Sequence, residues 1–347
     1  MNRTVDTALA LSLLTYYPEL SHGGYPDIGA FLDEYFTLPP EQRPETMFSG
    51  LCPDEASGVV SAMRLLRRRR SFRNMPIVCD SKGSRRFNSF CVLDRAEKTA
   101  YIVIGGNYRV GFYPSGSGVT SSWCDNFLGA VQSITAEQRD ILGFYDRAAS
   151  RVRGYGLVVC GHSKGGNLAQ FITLMRGNVS RCISFDGQGF SDEFIARHQR
   201  LIEKRGSKIL SLCPAGSIVG AALTPIAAAR HYTVRPRPVR EGALYCHIPA
   251  ALFDRHLRLG EVSRREGFIS RLVTQVTVQT VRTAKRLPFV NAENGLGHIG
   301  RALQYAFKEH PGLGLAELVS PNVVLLLLML AGNCIRYTVT EPGRIDS

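Results

Sequence analysis

The sequence predicts an α/β protein with a mostly parallel sheet flanked by helices. Residues 157–160 form a short, continuous apolar segment, which is the pattern of a strand buried on both faces of a parallel sheet. Apolar residues then recur at spacings of three and four from 167 to 175, as they do along a helix. Further units of strand, loop and helix follow, and such repeats favour parallel strands joined by right-handed crossovers.

The remaining elements are predicted from apolar runs between turn residues and from helical spacing. Two of the strands flank the charged turn 94–98 and therefore predict a hairpin. Thr135 stands three residues before Gln138, the spacing of a capping box that starts a helix. Strands are expected at 88–93, 100–104, 181–185, 208–212 and 232–234, and helices within 4–36 and at 59–66, 135–152, 191–204, 262–287 and 322–335.

The predicted domain boundary lies at residue 255, where strands give way to helical patterns. The α/β domain is expected over 1–255, with helices of its segment 1–75 packed on it, and a C-terminal helical extension over 256–347. Within the extension, the segment 323–331 is apolar throughout but has about half of the ~20 residues that a membrane-spanning helix needs. It predicts a buried helix, with a segment that dips into a membrane as the alternative.

The composition limits the partners that we expect. Lys and Arg number 42 against 29 Asp and Glu, and the net charge of +13 favours anionic surfaces such as phospholipid headgroups or acidic substrates. No basic motif interleaved with aromatic residues is visible, so nucleic acid is not an expected partner. None of the nine cysteines forms a C-x-x-C pair, and no metal or cofactor is expected. The free thiols and the lack of a signal-peptide pattern predict a cytoplasmic protein, with membrane association as an option.

Residues 161–165, Gly-His-Ser-Lys-Gly, fit the G-x-S-x-G pattern of a nucleophile elbow. A serine hydroxyl attacks well only when it is exposed, aimed and in contact with a base. A sharp turn from strand to helix aims it, and glycines two residues before and after leave room for the two elements to approach. Ser163 is therefore the predicted nucleophile. The alternatives are a plain connecting turn or a phosphate loop, although the lysine is misplaced for G-x-x-x-x-G-K-[ST].

A serine nucleophile needs a histidine base and usually an acid, in the chain order Ser, Asp or Glu, His for this arrangement. His247 is the best candidate for the base because it lies in an apolar run beside a proline, with a packed structural histidine as the alternative. His162 is next to the nucleophile but is expected on the opposite face of the turn. Asp186 follows a strand directly and is the candidate acid; the alternative is that it caps a turn. If Asp186 lies too far from His247, the Ser217 hydroxyl or a backbone carbonyl is expected to orient His247 in a weaker dyad.

The oxyanion hole is predicted from two places in the chain. The amide of Lys164 opens the helix after the nucleophile, where free N–H groups and the helix dipole meet developing negative charge. The turn after the strand 100–104 supplies the second donor in such folds, which indicates Gly106 or Asn107. The alternative for this Gly-Gly-Asn segment is an ordinary turn.

Four motifs together resemble the class-3-lipase-like α/β-hydrolases, and among them a bacterial Mbeg-type family. They are GHSKGGNLA at 161–169, SFDGQGF at 184–190, Pro214 with Ser-Ile-Val-Gly at 217–220, and Cys246-His247 where members carry Gln-His. The resemblance covers about residues 5–255 and implies an α/β-hydrolase fold with serine esterase or lipase activity. The chain departs from it at 104–107, where Ile-Gly-Gly-Asn replaces Phe-Arg-Gly-Thr and removes an arginine and a hydroxyl.

Two functions follow as hypotheses. The first is a serine hydrolase that cleaves an ester, for example of a lipid, through an acyl-enzyme on Ser163, with His247 moving the proton and Asp186 orienting it. The second is an inactive or weakly active α/β-hydrolase fold that binds a partner or an anionic membrane. The unusual position of the acid and the altered oxyanion turn favour this alternative.

Overall fold

The structure is a computed structural model that describes residues 3–44, 53–82, 84, 86–106, 113–115, 118–120, 122–237, 246–254, 256–265, 267–306 and 318–340. Its centre is an eight-stranded sheet in the order β1-β2-β3-β6-β7-β8-β9-β10, and β4 and β5 form a separate two-stranded sheet. The strands are β1 (Ile77–Asp80), β2 (Ser89–Asp94), β3 (Thr99–Ile104), β4 (Tyr113–Ser115), β5 (Gly118–Thr120), β6 (Gly156–His162), β7 (Arg181–Phe185), β8 (Ile209–Pro214), β9 (Arg230–Val234) and β10 (Val262–Ser263).

The sheet is mixed, with a parallel centre. Strands β3, β6, β7, β8 and β9 run parallel to one another, whereas β1 and β2 at one side and β10 at the other pair antiparallel. The predicted hairpin is present, since Leu93 pairs with Ala100 across the turn between β2 and β3. The predicted α/β-hydrolase-like fold class is confirmed.

Helices cover both faces of the sheet. They are α1 (Arg3–Leu14), α2 (Pro18–His22), α3 (Ile28–Thr37), α4 (Pro53–Arg68), α5 (Arg70–Arg73), α6 (Ser122–Leu128), α7 (Ala136–Arg151), α8 (Lys164–Met175), α9 (Asp192–Arg197), α10 (Gln199–Arg205), α11 (Phe268–Arg286), α12 (Ala292–Ala306) and α13 (Pro321–Ile335). The capping box that starts α7 is confirmed, because Thr135 and Gln138 exchange hydrogen bonds between side chain and backbone. The single helix predicted over 191–204 is wrong: His198 divides it into α9 and α10.

Alternating side chains of the strands enter two cores, one on each face. On β6, Val158 joins a cluster with α1, α3 and α4, whereas Val159 joins a cluster with α7 and α8. Burial of each such aliphatic side chain stabilises the fold by about 1.5–3 kcal/mol. α1 is buried on almost every side because it packs on β3 and β6. Tyr16, which follows α1, reaches His162 at the carboxyl end of β6.

The C-terminal helices form a smaller core of their own. Val131, which follows α6, packs with Ala284, Val290, Ala292 and Leu326. The domain boundary at residue 255 stays a prediction, and we note that β10 lies beyond it yet pairs with β9 of the main sheet.

The prediction of a buried helix at 323–331 is wrong. α13 buries Val323 and Leu326 but leaves Leu328 64% exposed. Apolar composition alone cannot distinguish a core helix from one with a single packed face. Among the described residues, one helical stretch, Pro321–Val339, has the length and hydropathy of a membrane span.

Candidate active site

Ser163 lies at the sharp turn between β6 and α8. Its backbone has φ +59° and ψ −126°, a combination that costs free energy for a residue with a side chain and must be held by its surroundings. Three hydrogen bonds hold it: the Ser163 amide donates to the Phe185 carbonyl at 2.9 Å, and the amides of Gly166 and Asn167 donate to the Ser163 carbonyl at 2.9 and 3.2 Å. The neighbouring strand and the first turn of α8 therefore fix the conformation predicted for a nucleophile elbow.

The two glycines of the motif are required by close contacts between backbones. A Cβ atom on Gly161 would lie 2.5 Å from the Gly165 carbonyl, and one on Gly165 would overlap the carbonyl oxygen of Ile104. Because backbone atoms cannot move aside as a flexible side chain can, neither position accepts alanine without displacing a strand.

We therefore expect Gly165→Ala to lower the free energy of unfolding by about 2–4 kcal/mol, because the added methyl group overpacks β3 against the elbow. Urea denaturation followed by circular dichroism measures the change. Gly143→Ala is the matched control: Gly143 is exposed on α7 and its added methyl would meet only the end of Arg147, at 3.8 Å, so alanine should be neutral or stabilise by up to about 1 kcal/mol. Equal effects of the two substitutions would contradict this account.

The structure brings Ser163, His247 and Asp186 together in one chain of hydrogen bonds. Nε2 of His247 lies 3.0 Å from Oγ of Ser163, and Nδ1 of His247 lies 2.6 Å from Oδ2 of Asp186. These are the distances at which a base accepts the proton of a nucleophile and an acid fixes the tautomer of that base. The His247 side chain is 13% exposed, whereas the Asp186 carboxylate is inaccessible to solvent.

Asp186 is held by the loop that follows β8. The Ser217 hydroxyl donates to Oδ2 at 2.6 Å, the Gly220 amide donates to Oδ1 at 3.0 Å, and the Cys213 thiol lies 3.3 Å from Oδ1. Ser217 was the alternative residue expected to orient His247, but its hydroxyl is hydrogen-bonded to Asp186 instead. The carboxylate therefore has a fixed orientation toward His247.

His162 supports the loop that carries His247. Its Nε2 lies 2.6 Å from the backbone carbonyl of His247, and its Nδ1 lies 2.5 Å from the hydroxyl of Tyr16. Burial, and then the positive charge of a protonated His247, lower the pKa of His162 well below 6.5, so the ring is neutral. A neutral ring can donate from Nε2 to the carbonyl while Nδ1 accepts from Tyr16. Both nitrogens are thus engaged away from Ser163, which agrees with the expectation that His162 is not the base.

The contact between Tyr16 and His162 could not be predicted from the sequence. Burial, and then the charge of Asp186, raise the pKa of its hydroxyl, so Tyr16 keeps its proton and can donate it to His162. Tyr16 follows α1 and is separated from His162 by 146 residues, with no motif around it.

The pKa of His162 predicts a pH dependence of stability. In the unfolded chain the ring takes up a proton near pH 6.5, whereas the folded protein keeps it neutral, so the unfolded state binds more protons as the pH falls. We expect the free energy of unfolding to decrease below about pH 6.5, with a contribution from this group that approaches ~1.4 kcal/mol per pH unit. Denaturation of wild type and His162→Gln between about pH 7.5 and 5.5 measures it; the same slope in both proteins would exclude His162 as its source.

The side chain of Lys164 lies in a buried ionic network behind the elbow. Its Nζ lies 2.7 Å from Oδ2 of Asp125 and 3.8 Å from a carboxylate oxygen of Glu137, and Lys164 is 1% exposed. Asp125 also accepts from the Thr135 hydroxyl at 2.6 Å. Burial alone would raise the pKa of Asp125, but the Lys164 ammonium and the Thr135 hydroxyl hold it below its usual value. Only the amide of Lys164 was considered from the sequence, and this network was missed because Lys164 and Asp125 are 39 residues apart and share no motif.

The predicted oxyanion donors are only partly described by the structure. Lys164 is the first residue of α8, and the first N–H groups of a helix have no partner within it. Gly106 follows β3 and packs so closely on Tyr16 and His162 that a Cβ atom there would lie 2.5 Å from the Tyr16 hydroxyl. Asn107 lies outside the described residues. The oxyanion role of all three stays a prediction.

His162, Asp186 and His247 also place their ligand atoms within 4.8 Å of one another, close enough to consider a metal ion. However, both nitrogens of each ring already have a protein partner in this arrangement. A metal would have to break the contact of His247 with Ser163 or with Asp186, so the geometry favours proton transfer over metal binding.

Comparison with known protein families gives a match over one part of the chain. Residues 100–235 match the model of the Mbeg1-like family. That match confirms the resemblance drawn from the motifs. The matched segment contains Ser163, Asp186 and Ser217, whereas His247 and the C-terminal helices lie beyond it. A search of curated proteins found no match.

Solved structures of fungal lipases are similar at low identity. A Rhizomucor miehei lipase in complex with its propeptide is 15% identical, with a TM-score of 0.39 over 75% of this chain and 82% of that one. The Lip2 lipase of Yarrowia lipolytica is 11% identical, with a TM-score of 0.35 over 67% of this chain and 78% of that one.

Proposed function

We propose that the protein is a serine hydrolase that cleaves an ester through an acyl-enzyme. The observation that carries the proposal is the unbroken chain of hydrogen bonds from Ser163 through His247 to Asp186, with the serine on a strained elbow. An arrangement that served only packing would not need a serine with a positive φ just before a helix, since that backbone conformation costs free energy. The Mbeg1-like match over the segment of Ser163 and Asp186 is consistent with this role.

The geometry supports the following sequence of steps. Oγ of Ser163 attacks the ester carbonyl carbon while its proton moves to Nε2 of His247, and the Lys164 amide donates to the oxyanion that forms. When the tetrahedral intermediate collapses, the bond from carbon to the alcohol oxygen breaks, and that oxygen takes the proton from His247. Water then repeats the attack on the acyl-serine, with His247 again as base, and releases the acid. The Asp186 carboxylate stabilises the imidazolium.

A cavity between α11–α13 and the loops after β7 and β8 favours a substrate with an apolar chain. Its volume is about 230 Å³, and its wall includes Gln188, two residues after Asp186. Most of the lining is apolar, as in pockets that hold lipid or other apolar ligands. Its apolar members include Phe127, Leu223, Val281, Leu296, Leu326 and Leu327, the last of which also belongs to the exposed face of α13.

A fluorophosphonate probe tests the proposal, because it reacts with activated serines and leaves ordinary hydroxyls unlabelled. We expect a covalent adduct on Ser163 in wild type and none in Ser163→Ala, with hydrolysis of p-nitrophenyl esters reduced by roughly 10⁴-fold or more in the variant. Octanoate esters should be cleaved with a higher kcat/KM than acetate esters. Wild-type protein that is folded by circular dichroism yet gives neither an adduct nor hydrolysis would overturn the proposal.

A further inference from the structure

A stripe of apolar side chains on α13 is exposed to solvent. We call it the α13 stripe: Val324, Leu327, Leu328, Ala331 and Ile335. Their spacings of three, one, three and four residues place them on one face of the helix. Leu328 and Ile335 are 64% and 62% exposed. Contiguous apolar patches of this kind are uncommon on soluble proteins and mark surfaces that bind something.

The opposite face of α13 fixes the direction of the helix on the protein. Leu326 is buried in the core of the C-terminal helices, the side chain of Asn322 accepts from the Asn291 amide at 3.0 Å, and Tyr337 packs on Val276 and Leu272 of α11. α13 therefore lies antiparallel along α11, and each end of the stripe is close to one end of α11.

Exposed aromatic and cationic side chains lie at the two ends of α11, along which the stripe runs. Near its start, Phe289 is 66% exposed and follows the exposed Arg286. Near its end, Phe268 is exposed and follows the exposed Arg264 and Arg265. Between these two ends, the sequence from 318 to 335 contains no charged residue. An apolar centre with aromatic and basic ends is the pattern of a surface that enters the boundary between lipid headgroups and acyl chains.

We propose that the α13 stripe docks on an anionic lipid bilayer, with α13 lying in the plane of the interface. The apolar side chains enter the acyl boundary while Arg264, Arg265 and Arg286 face anionic headgroups, in keeping with the net charge of +13. α13 lies on the membrane rather than crossing it, because its other face is packed along α11 and a transmembrane position would expose that core. This inference does not rest on the proposed function.

Co-sedimentation of the full chain with vesicles tests the proposal. We expect binding to vesicles of phosphatidylcholine with phosphatidylglycerol, and weaker binding to phosphatidylcholine alone. Leu328→Gln/Ile335→Gln should weaken binding on the order of tenfold or more, because two exposed apolar side chains become polar without a change in the core or in the lining of the apolar cavity. Leu328→Met/Ile335→Leu is the matched control and should bind as wild type, since it keeps the face apolar.

A second pair of variants separates the electrostatic contribution. Arg264→Gln/Arg265→Gln should weaken binding to anionic vesicles roughly tenfold and leave binding to neutral vesicles unchanged. Arg95→Gln/Arg153→Gln removes the same charge from exposed positions in the turns that precede β3 and β6, away from α13, and should have no effect. Ser163→Ala should bind as wild type, so a failure of docking is distinguishable from a failure of hydrolysis.

Three results would overturn the proposal. The first is a lack of binding to anionic vesicles, or binding that the Leu328→Gln/Ile335→Gln variant retains in full. The second is bound protein that resists extraction with alkaline carbonate, which would mean that α13 crosses the bilayer. The third is a dimer, seen by analytical ultracentrifugation without lipid, that the same glutamine variant dissociates; the stripe would then bind a second copy of the chain.

Discussion

Asp186→Asn is expected to lower kcat for ester hydrolysis by about 10⁴-fold, provided that the proposed function holds. The Asp186 carboxylate accepts the Nδ1 proton of His247, which leaves Nε2 free to accept from Ser163. An asparagine turned with its amide group toward Nδ1 would stabilise the other tautomer, in which Nε2 carries the proton and cannot act as a base. Asp186 has φ +50°, a backbone conformation that asparagine tolerates, so the fold should be preserved.

Steady-state kinetics with a p-nitrophenyl ester, together with thermal unfolding, measures this effect. Ser217→Ala is the control for the surroundings of the carboxylate. It removes one of the donors to Asp186 and leaves the contact with His247 in place, so a loss of about tenfold or less is expected. A similar, small loss in both variants would mean that Asp186 only caps its turn.

Lys164→Met is expected to destabilise the protein by about 3–5 kcal/mol. The substitution leaves the Asp125 carboxylate, with Glu137 close by, in a buried region without the ammonium that now lies 2.7 Å away. An uncompensated buried charge costs far more than the net value of the ion pair itself. The amide of residue 164 is retained, so the predicted oxyanion donor stays in place and the main effect should be on stability.

Urea denaturation near neutral pH measures the loss, and two further variants define its cause. Lys164→Met/Asp125→Asn should recover part of it, because the second change removes one unpaired charge. Lys208→Met is the matched control: its ammonium donates to the backbone carbonyls of Gly177 and Val179 near the surface, so about 1 kcal/mol is expected. Equal losses in Lys164→Met and Lys208→Met would contradict a buried ionic network.

The same network has a defined pH dependence in the wild type. Because Lys164 and Thr135 hold the pKa of Asp125 below 3.8, its ionisation stabilises the fold above that value, and the contribution is lost as the pH falls through the lower folded pKa. His162 acts at higher pH. Its pKa is lowered as well, which for a histidine means that the folded protein keeps the neutral ring, so stability decreases as the pH falls below about 6.5. Acid should therefore weaken the protein first through His162 and only later through Asp125.

The strands and the elbow could be predicted because their causes are local. A buried strand is a run of apolar residues, and a nucleophile elbow needs glycines within two residues of the serine, so both leave a pattern in a short window of sequence. Asp186 and His247 could be named as candidates because catalytic groups collect at the carboxyl ends of parallel strands. The distances between Asp186 and His247, and between His247 and Ser163, could not be predicted. They depend on the conformation of loops that are far apart in the chain, such as the loop in which Ser217 and Gly220 donate to Asp186.

The sequence by itself determined the sheet, the strained serine and the short set of residues from which an acid and a base could come. Only the tertiary structure decided that Ser217 holds Asp186, that Tyr16 and His162 support the loop of His247, and that Lys164 is paired with Asp125. It also decided that α13 packs on one face and exposes the other. The physical reason is that backbone conformation follows from neighbouring residues, whereas hydrogen bonds, ion pairs and burial join residues that are far apart in the chain and carry no shared pattern.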